Sequence, residues 1–283
     1  MAKVYEALRK AEEARKRRTG DPSAELGPVE WEPSGHTVQP RRPPFWKRWA
    51  SRLATRPTAV AEAAGDANKR RISLLQPDSY AAEQFRALRA RIDSAAAQTP
   101  IKTVAVTSAL PGEGKTTSSV NLAAVTAMSL GRRVLLIDCD LRKPKVHQTL
   151  GLRPEAGLAE VLTDATGLDQ AVLKVEGVNL EVLAVRGRPV NPSELLASTR
   201  MRELIDEVRQ RYDRIILDTP AALGLPDAKI VSELCDGVVV VVRADMTSNR
   251  DVQATLEIME RARILGLLMN GAEIDRGRYG YLS

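Results

Sequence analysis

Six short runs of β-branched and aliphatic residues recur along the last two thirds of the chain: Thr103 to Thr107, Val134 to Asp138, Leu180 to Ala184, Ile215 to Asp218, Val238 to Val242 and Leu265 to Asn270. Each is apolar on both alternating faces, and helix-length segments separate them. Strands of that kind are buried from two sides, and helices between them force a parallel arrangement. The expected fold is therefore α/β, a doubly wound and mainly parallel sheet. Before the first run, Ala82, Phe85, Leu88 and Ile92 recur at spacings of three and four, which predicts an amphipathic helix over 79–97.

The first run leads into Ser108-Ala109-Leu110-Pro111-Gly112-Glu113-Gly114-Lys115-Thr116-Thr117, with a helix expected from about Lys115. Strand, glycine-rich turn and helix in that order make a phosphate loop. Gly112 and Gly114 let successive N–H groups converge on phosphate oxygens, and the helix N-terminus adds the positive end of its dipole. Lys115 brings a point charge to the β- and γ-phosphates, and the Thr116 hydroxyl suits magnesium. The strict pattern has glycine five residues before Gly114, where this chain has Ala109. The loop is thus of a deviating type within the P-loop NTPase class.

The second run ends Ile137-Asp138-Cys139-Asp140-Leu141-Arg142, and the fourth ends Leu217-Asp218-Thr219-Pro220. Strand ends at the carboxyl edge of an open α/β sheet are where ligands bind. Lys115, Asp138, Asp140 and Asp218 are accordingly the expected catalytic set, with Thr116, Asp138, Asp140 and Asp218 as magnesium donors. One acid of the Asp138–Asp140 pair would serve the metal and the other would act as base. ATP and Mg2+ are the implied cofactors. Cys139 reads as a small packed hydrophobe and His147 as a surface or helix residue.

Charge and composition exclude other classes. Residues 1–71 carry 16 Lys and Arg against 9 Asp and Glu, whereas the remainder carries 26 against 27. The folded part has no net basic face for nucleic acid, so no nucleic-acid partner is expected. Cys139 and Cys235 are too few for a disulfide framework, which points to a reducing cytosol. No run approaches the ~18 apolar residues of a membrane span. The expected organisation is a short amphipathic helix over 1–19, a Pro-rich basic linker over 20–76, an ATP-binding domain over 77–271 and a tail over 272–283. All three tryptophans lie in the linker, where Phe45-Trp46-Lys47-Arg48-Trp49 suits a membrane surface, a partner protein or plain solvation.

From about Tyr80 to Asn270 the chain resembles the bacterial tyrosine kinases of capsule and exopolysaccharide synthesis, of the cytoplasmic type. The resemblance rests on Pro111-Gly112-Glu113-Gly114-Lys115-Thr116, Ile137-Asp138-Cys139-Asp140-Leu141-Arg142 and Ile216-Leu217-Asp218-Thr219-Pro220, with Asn191-Pro192-Ser193-Glu194-Leu195-Leu196 in support. It implies ATP-dependent tyrosine autophosphorylation in trans, a nucleotide held by Pro111 to Thr117 with Arg142 and Asn270, and a homo-oligomeric ring. It also implies a membrane adaptor of the polysaccharide chain-length-determinant type, a cognate tyrosine phosphatase, and a cytoplasmic protein recruited to the inner face of the membrane. Glu83, Arg86 and Arg89 match the ring-forming pattern of relatives, although their spacing also suits an intrahelical ion-pair ladder. Tyr279 and Tyr281 stand where relatives carry a larger cluster of acceptor tyrosines. The related partitioning and division-site ATPases carry a lysine where this chain has Leu110. An ATPase switch or a scaffold without tyrosine transfer is the alternative reading.

Overall fold

The computed structural model describes residues 71–259 and 264–272. The expected helix over 1–19, the tryptophan cluster, Tyr279 and Tyr281 lie outside the described residues. Seven strands form one sheet: β1 (Thr103–Ser108), β2 (Val134–Asp138), β3 (Val172–Val175), β4 (Leu180–Leu183), β5 (Arg214–Asp218), β6 (Gly237–Arg243) and β7 (Ile264–Asn270). Their order is β3-β4-β2-β5-β1-β6-β7, and every pairing is parallel except β3 with β4. The strand β3 is absent from the sequence expectation. Its four residues follow the short helix α6 (Leu168–Ala171) without a break, and its outward pattern is half-buried rather than apolar.

Alternation along each strand divides the interior into two cores. Leu135 and Ile137 of β2, Ile215 and Leu217 of β5, and Val238 and Val240 of β6 face one layer. There they meet α5 (Leu158–Leu162), α8 (Thr199–Arg211) and α9 (Asp227–Glu233). Val134, Leu136, Ile216, Val239 and Val241 face the other, formed by α2 (Tyr80–Ala96) and α3 (Lys115–Ala127). Two-sided burial is what continuous apolar strands require. The remaining helices are α1 (Ile72–Leu75), α4 (Val146–Leu150), α7 (Pro192–Ala197) and α10 (Asn249–Ile258). The one-turn α1 falls inside the segment expected to be linker, because the Ser73 N–H donates to the Asn121 side chain of α3 at 2.8 Å. No helix among the described residues is long and apolar enough to cross a membrane.

Gly157 marks the closest backbone approach. The Leu158 N–H donates to Ala184 O at 2.8 Å, and a Cβ on Gly157 would lie 2.3 Å from that oxygen and 2.9 Å from Arg186 N. Both obstacles are main chain, so α5 must separate from the β4 end to accept a methyl. We expect Gly157→Ala to destabilise the fold by about 2–4 kcal/mol. Chemical denaturation measures this, and an unchanged midpoint would show that the approach is slack.

Candidate nucleotide and phosphotransfer site

The site begins where β1 turns into α3. Gly112 and Gly114 have φ of +88° and +98°, and Gly114 caps α3. A Cβ on Gly114 would also lie 2.0 Å from Asn270 Nδ2, so glycine is required there by conformation and by space. The Glu113 side chain is fully buried. Its Oε2 accepts the Leu110 N–H at 2.8 Å and its Oε1 accepts the Thr247 hydroxyl. Asn270 Nδ2 donates to Glu113 O, and Arg243 Nη1 donates to Gly112 O, each at 2.9 Å. The outside of the loop is thereby gripped from the ends of β6 and β7, which leaves its inner face on a cavity of about 370 Å³. Pro111, Gly112, Gly114, Lys115, Thr116 and Thr117 line it. Glu113, expected among them, turns inward and offers the cavity no side chain.

Strand register brings the aspartates together. Asp138 of β2 is the direct neighbour of Asp218 of β5, and the Cys139 N–H donates to Asp218 O at 2.8 Å. Asp140 lies on the cavity wall with its Oδ2 3.8 Å from Lys115 Nζ. Asp138 and Asp218 stand behind that wall, both fully buried. Asp138 accepts N–H bonds from Asp140, Lys145 and Val146 at 3.1, 3.2 and 3.1 Å. Burial first, then the charges of Asp218 and Asp140, hold its pKa well above the usual carboxylate range despite those donors. Burial pushes Asp218 up to about 6, against the pull of Lys115 and the Thr116 and Ser119 hydroxyls. Ser119 Oγ donates to Asp218 Oδ1 at 2.9 Å, while Oδ2 is buried with no hydrogen-bond partner.

That orphaned oxygen bears on magnesium. Mg2+ takes hard oxygen donors, keeps several waters and binds through one or two carboxylates plus substrate phosphates. Thr116, Asp140 and Asp218 offer such donors, and among the described residues no cluster of three or more His, Cys, Asp or Glu forms a ready-made cage. The residues present fit Mg2+ better than a metal that needs a closed protein shell.

Arg142 is on the cavity wall and is clamped from behind. Its Nε lies 2.7 Å from Asp227 Oδ2, its Nη2 donates to Asp227 Oδ1 at 3.3 Å and to Ser193 Oγ at 2.8 Å, and Ser193 Oγ donates to Asp227 Oδ1 at 2.5 Å. Asp227 is fully buried at the start of α9. That Arg142, Ser193 and Asp227 form a triad is not legible in the sequence, since residues 142, 193 and 227 meet only in the fold; an aspartate after Pro226 reads as an ordinary helix start. Thr247 and Arg243 were missed for the same reason. Cys139 is fully buried in the core as expected. His147 lies on α4, with burial lowering its pKa.

On α2, Glu83 and Arg86 pair with each other. Arg89 Nη1 donates to Val125 O at 2.9 Å and Ser129 Oγ at 2.6 Å, binding the end of α3. The intrahelical reading thus accounts for the Glu83–Arg86 contact, and Arg89 is engaged within its own chain.

The AAA domain family matches residues 101–265. Tyrosine-protein kinase YwqD of Bacillus subtilis is 39% identical over 213 residues, which cover 74% of this chain and 90% of that protein. Among solved structures, the chimerical protein CapA2B2 is 31% identical with a TM-score of 0.69, over 73% of this chain and 91% of that one. The kinase domain of the Escherichia coli tyrosine kinase ETK is 32% identical with a TM-score of 0.66, over 72% and 82%. Likeness of that extent in sequence and in fold leaves one assignment: the chain belongs to the bacterial tyrosine-protein kinase family.

Proposed function

We propose that the chain is an ATP-dependent protein-tyrosine autokinase of polysaccharide synthesis and export, acting in trans on Tyr279 and Tyr281 of a neighbouring subunit. The observation that carries this reading is a glycine-built loop, Lys115 and Asp140 on the wall of one nucleotide-sized cavity, with Asp138 and Asp218 buried side by side behind it. The inward-facing loop amides and Lys115 hold the phosphates, Arg142 stands fixed beside them, and Asn270 closes the base side. Thr116, Asp140 and Asp218 would hold Mg2+, directly or through water, with Asp138 behind them, and the chemistry supplied there would be neutralisation of phosphate charge.

The acceptor oxygen of tyrosine bonds to the γ-phosphorus as the bond to the β-bridging oxygen breaks, and ADP leaves. The phenol proton passes to the Asp138–Asp140 pair. Burial first, then the charges of Asp218 and Asp140, hold the Asp138 carboxyl well above the usual carboxylate range and make it a stronger base than a free carboxylate. Glu83 and Arg86, half-exposed on α2, are the side chains of the ring motif that remain for a neighbour. A membrane adaptor of the chain-length-determinant type recruits the protein to the inner face of the membrane, and a cognate phosphatase resets it.

Incubation with γ-labelled ATP and Mg2+, followed by mass spectrometry of the C-terminal peptide, tests the reading. Label on Tyr279 or Tyr281 is expected. Free phosphate alone would replace the kinase with an ATPase switch.

A further inference from the structure

The segment between β2 and α4 alternates anchored with exposed positions. Asp138 holds the N–H groups of Asp140, Lys145 and Val146, and Asp140 Oδ1 accepts the Lys143 N–H at 2.9 Å. Arg142 is fixed by buried Asp227 and by Ser193. Pro144 locks its own φ between the two lysines. The main chain of Lys143 and Lys145 is therefore rigid, while both side chains are exposed on the cavity rim.

Of the other cations on that wall, Lys115 faces Asp140, Arg142 faces Asp227, and Arg243 donates to the Gly112 carbonyl. Among the described residues neither Lys143 nor Lys145 has a carboxylate within ion-pair distance. Their place in the sheet matters as much. The loop-gripping residues Arg243 and Asn270 end β6 and β7 on one side of β1, whereas Lys143 and Lys145 follow β2 on the other side. That side carries the Asp138–Asp140 pair, which an acceptor hydroxyl must approach.

We propose that Lys143 and Lys145 form an acceptor-selecting rim that favours a tyrosine flanked by anionic residues, either acidic side chains or phosphotyrosine. The inference rests on the kinase reading and names its acceptor class. It bears on this chain's own tail, in which Arg276 and Arg278 precede Tyr279. A cation next to the acceptor opposes the rim, so the first transfer to this tail is slow. Tyr279 and Tyr281 are two residues apart, and phosphate on one supplies the anion that favours transfer to the other.

The test uses the full chain and three synthetic acceptors spanning residues 275–283. One has the natural sequence, one carries Arg276→Glu and Arg278→Glu, and one carries phosphate on Tyr281. Wild type is expected to use the acidic and phosphorylated peptides with a KM about five- to tenfold lower than the natural one, as two solvated charge contacts allow. Lys143→Ala with Lys145→Ala removes the preference and leaves the KM for ATP and the melting temperature unchanged. Lys143→Arg with Lys145→Arg restores it. Preference for only one modified peptide identifies which anion source the rim reads. Equal use of all three by wild type overturns the rim while leaving the kinase intact. So does a matching rise in the KM for ATP, which would assign the lysines to nucleotide. No label on any peptide or on the protein itself overturns the kinase reading and the rim together.

Discussion

Lys115→Met is expected to lower tyrosine phosphorylation by about 10³-fold while the protein stays folded. Lys115 opens α3 at the phosphate loop, its side chain is 12% exposed, and its ammonium stands 3.8 Å from Asp140 Oδ2. Removal strips the γ-phosphate of its main point charge, an effect comparable to losing one preorganised donor in a water-poor site. It also leaves Asp140 facing the phosphates with no counter-charge and takes away the attraction that lowers Asp218. The loss should therefore appear in both nucleotide affinity and turnover. Single-turnover labelling with circular dichroism as the folding check measures it. Retention of more than a tenth of wild-type activity would show that the loop lysine does not carry the transfer.

Asp218→Asn is expected to separate stability from activity. The folded carboxyl has its pKa pushed from 3.8 to about 6, chiefly by burial. Between about pH 4 and pH 6 the native state therefore holds more protons than the unfolded chain, and stability falls as pH rises through that window. Above it the full cost of a buried charge is present. The asparagine form, which keeps an oxygen for the Ser119 hydroxyl, should then be more stable than wild type by about 1–3 kcal/mol at pH 7 to 8. The gap should close as pH approaches 4. Activity should fall by at least about a hundredfold, and the extra stabilisation that Mg2+ and nucleotide give wild type should shrink. Denaturation midpoints across pH, with and without Mg-nucleotide, measure both arms. A variant less stable than wild type at pH 8 would mean that Asp218 is structural rather than strained.

The parts of the fold that the sequence announces are those whose signal is local. Val238 to Val242 can only be an interior strand, and Gly112 and Gly114 sit where left-handed backbone is needed. Asp138, Asp140 and Asp218 could be placed at strand ends because each closes an apolar run. What stayed hidden depends on neighbours distant in sequence. β3 exists because β4 offers it an antiparallel edge, and α1 because Asn121 receives the Ser73 amide. The inward turn of Glu113 needs Thr247, and the clamp on Arg142 needs Ser193 and Asp227. Likewise, the distinction between Asp140 at the wall and Asp138 behind it follows from how residues 139–146 fold back over the strand end, which strand alternation alone does not show.

The hook between Asn270 and the Glu113 carbonyl fixes one end of a tether. Tyr281, the farther of the two acceptors, lies eleven positions after Asn270, which at ~3.3 Å each span roughly 36 Å when fully extended. A subunit that receives this tyrosine must hold its γ-phosphate within that radius of the donor's Asn270, whatever symmetry relates the two. Any assembly with wider spacing between donor hook and recipient pocket is silent towards its own tails.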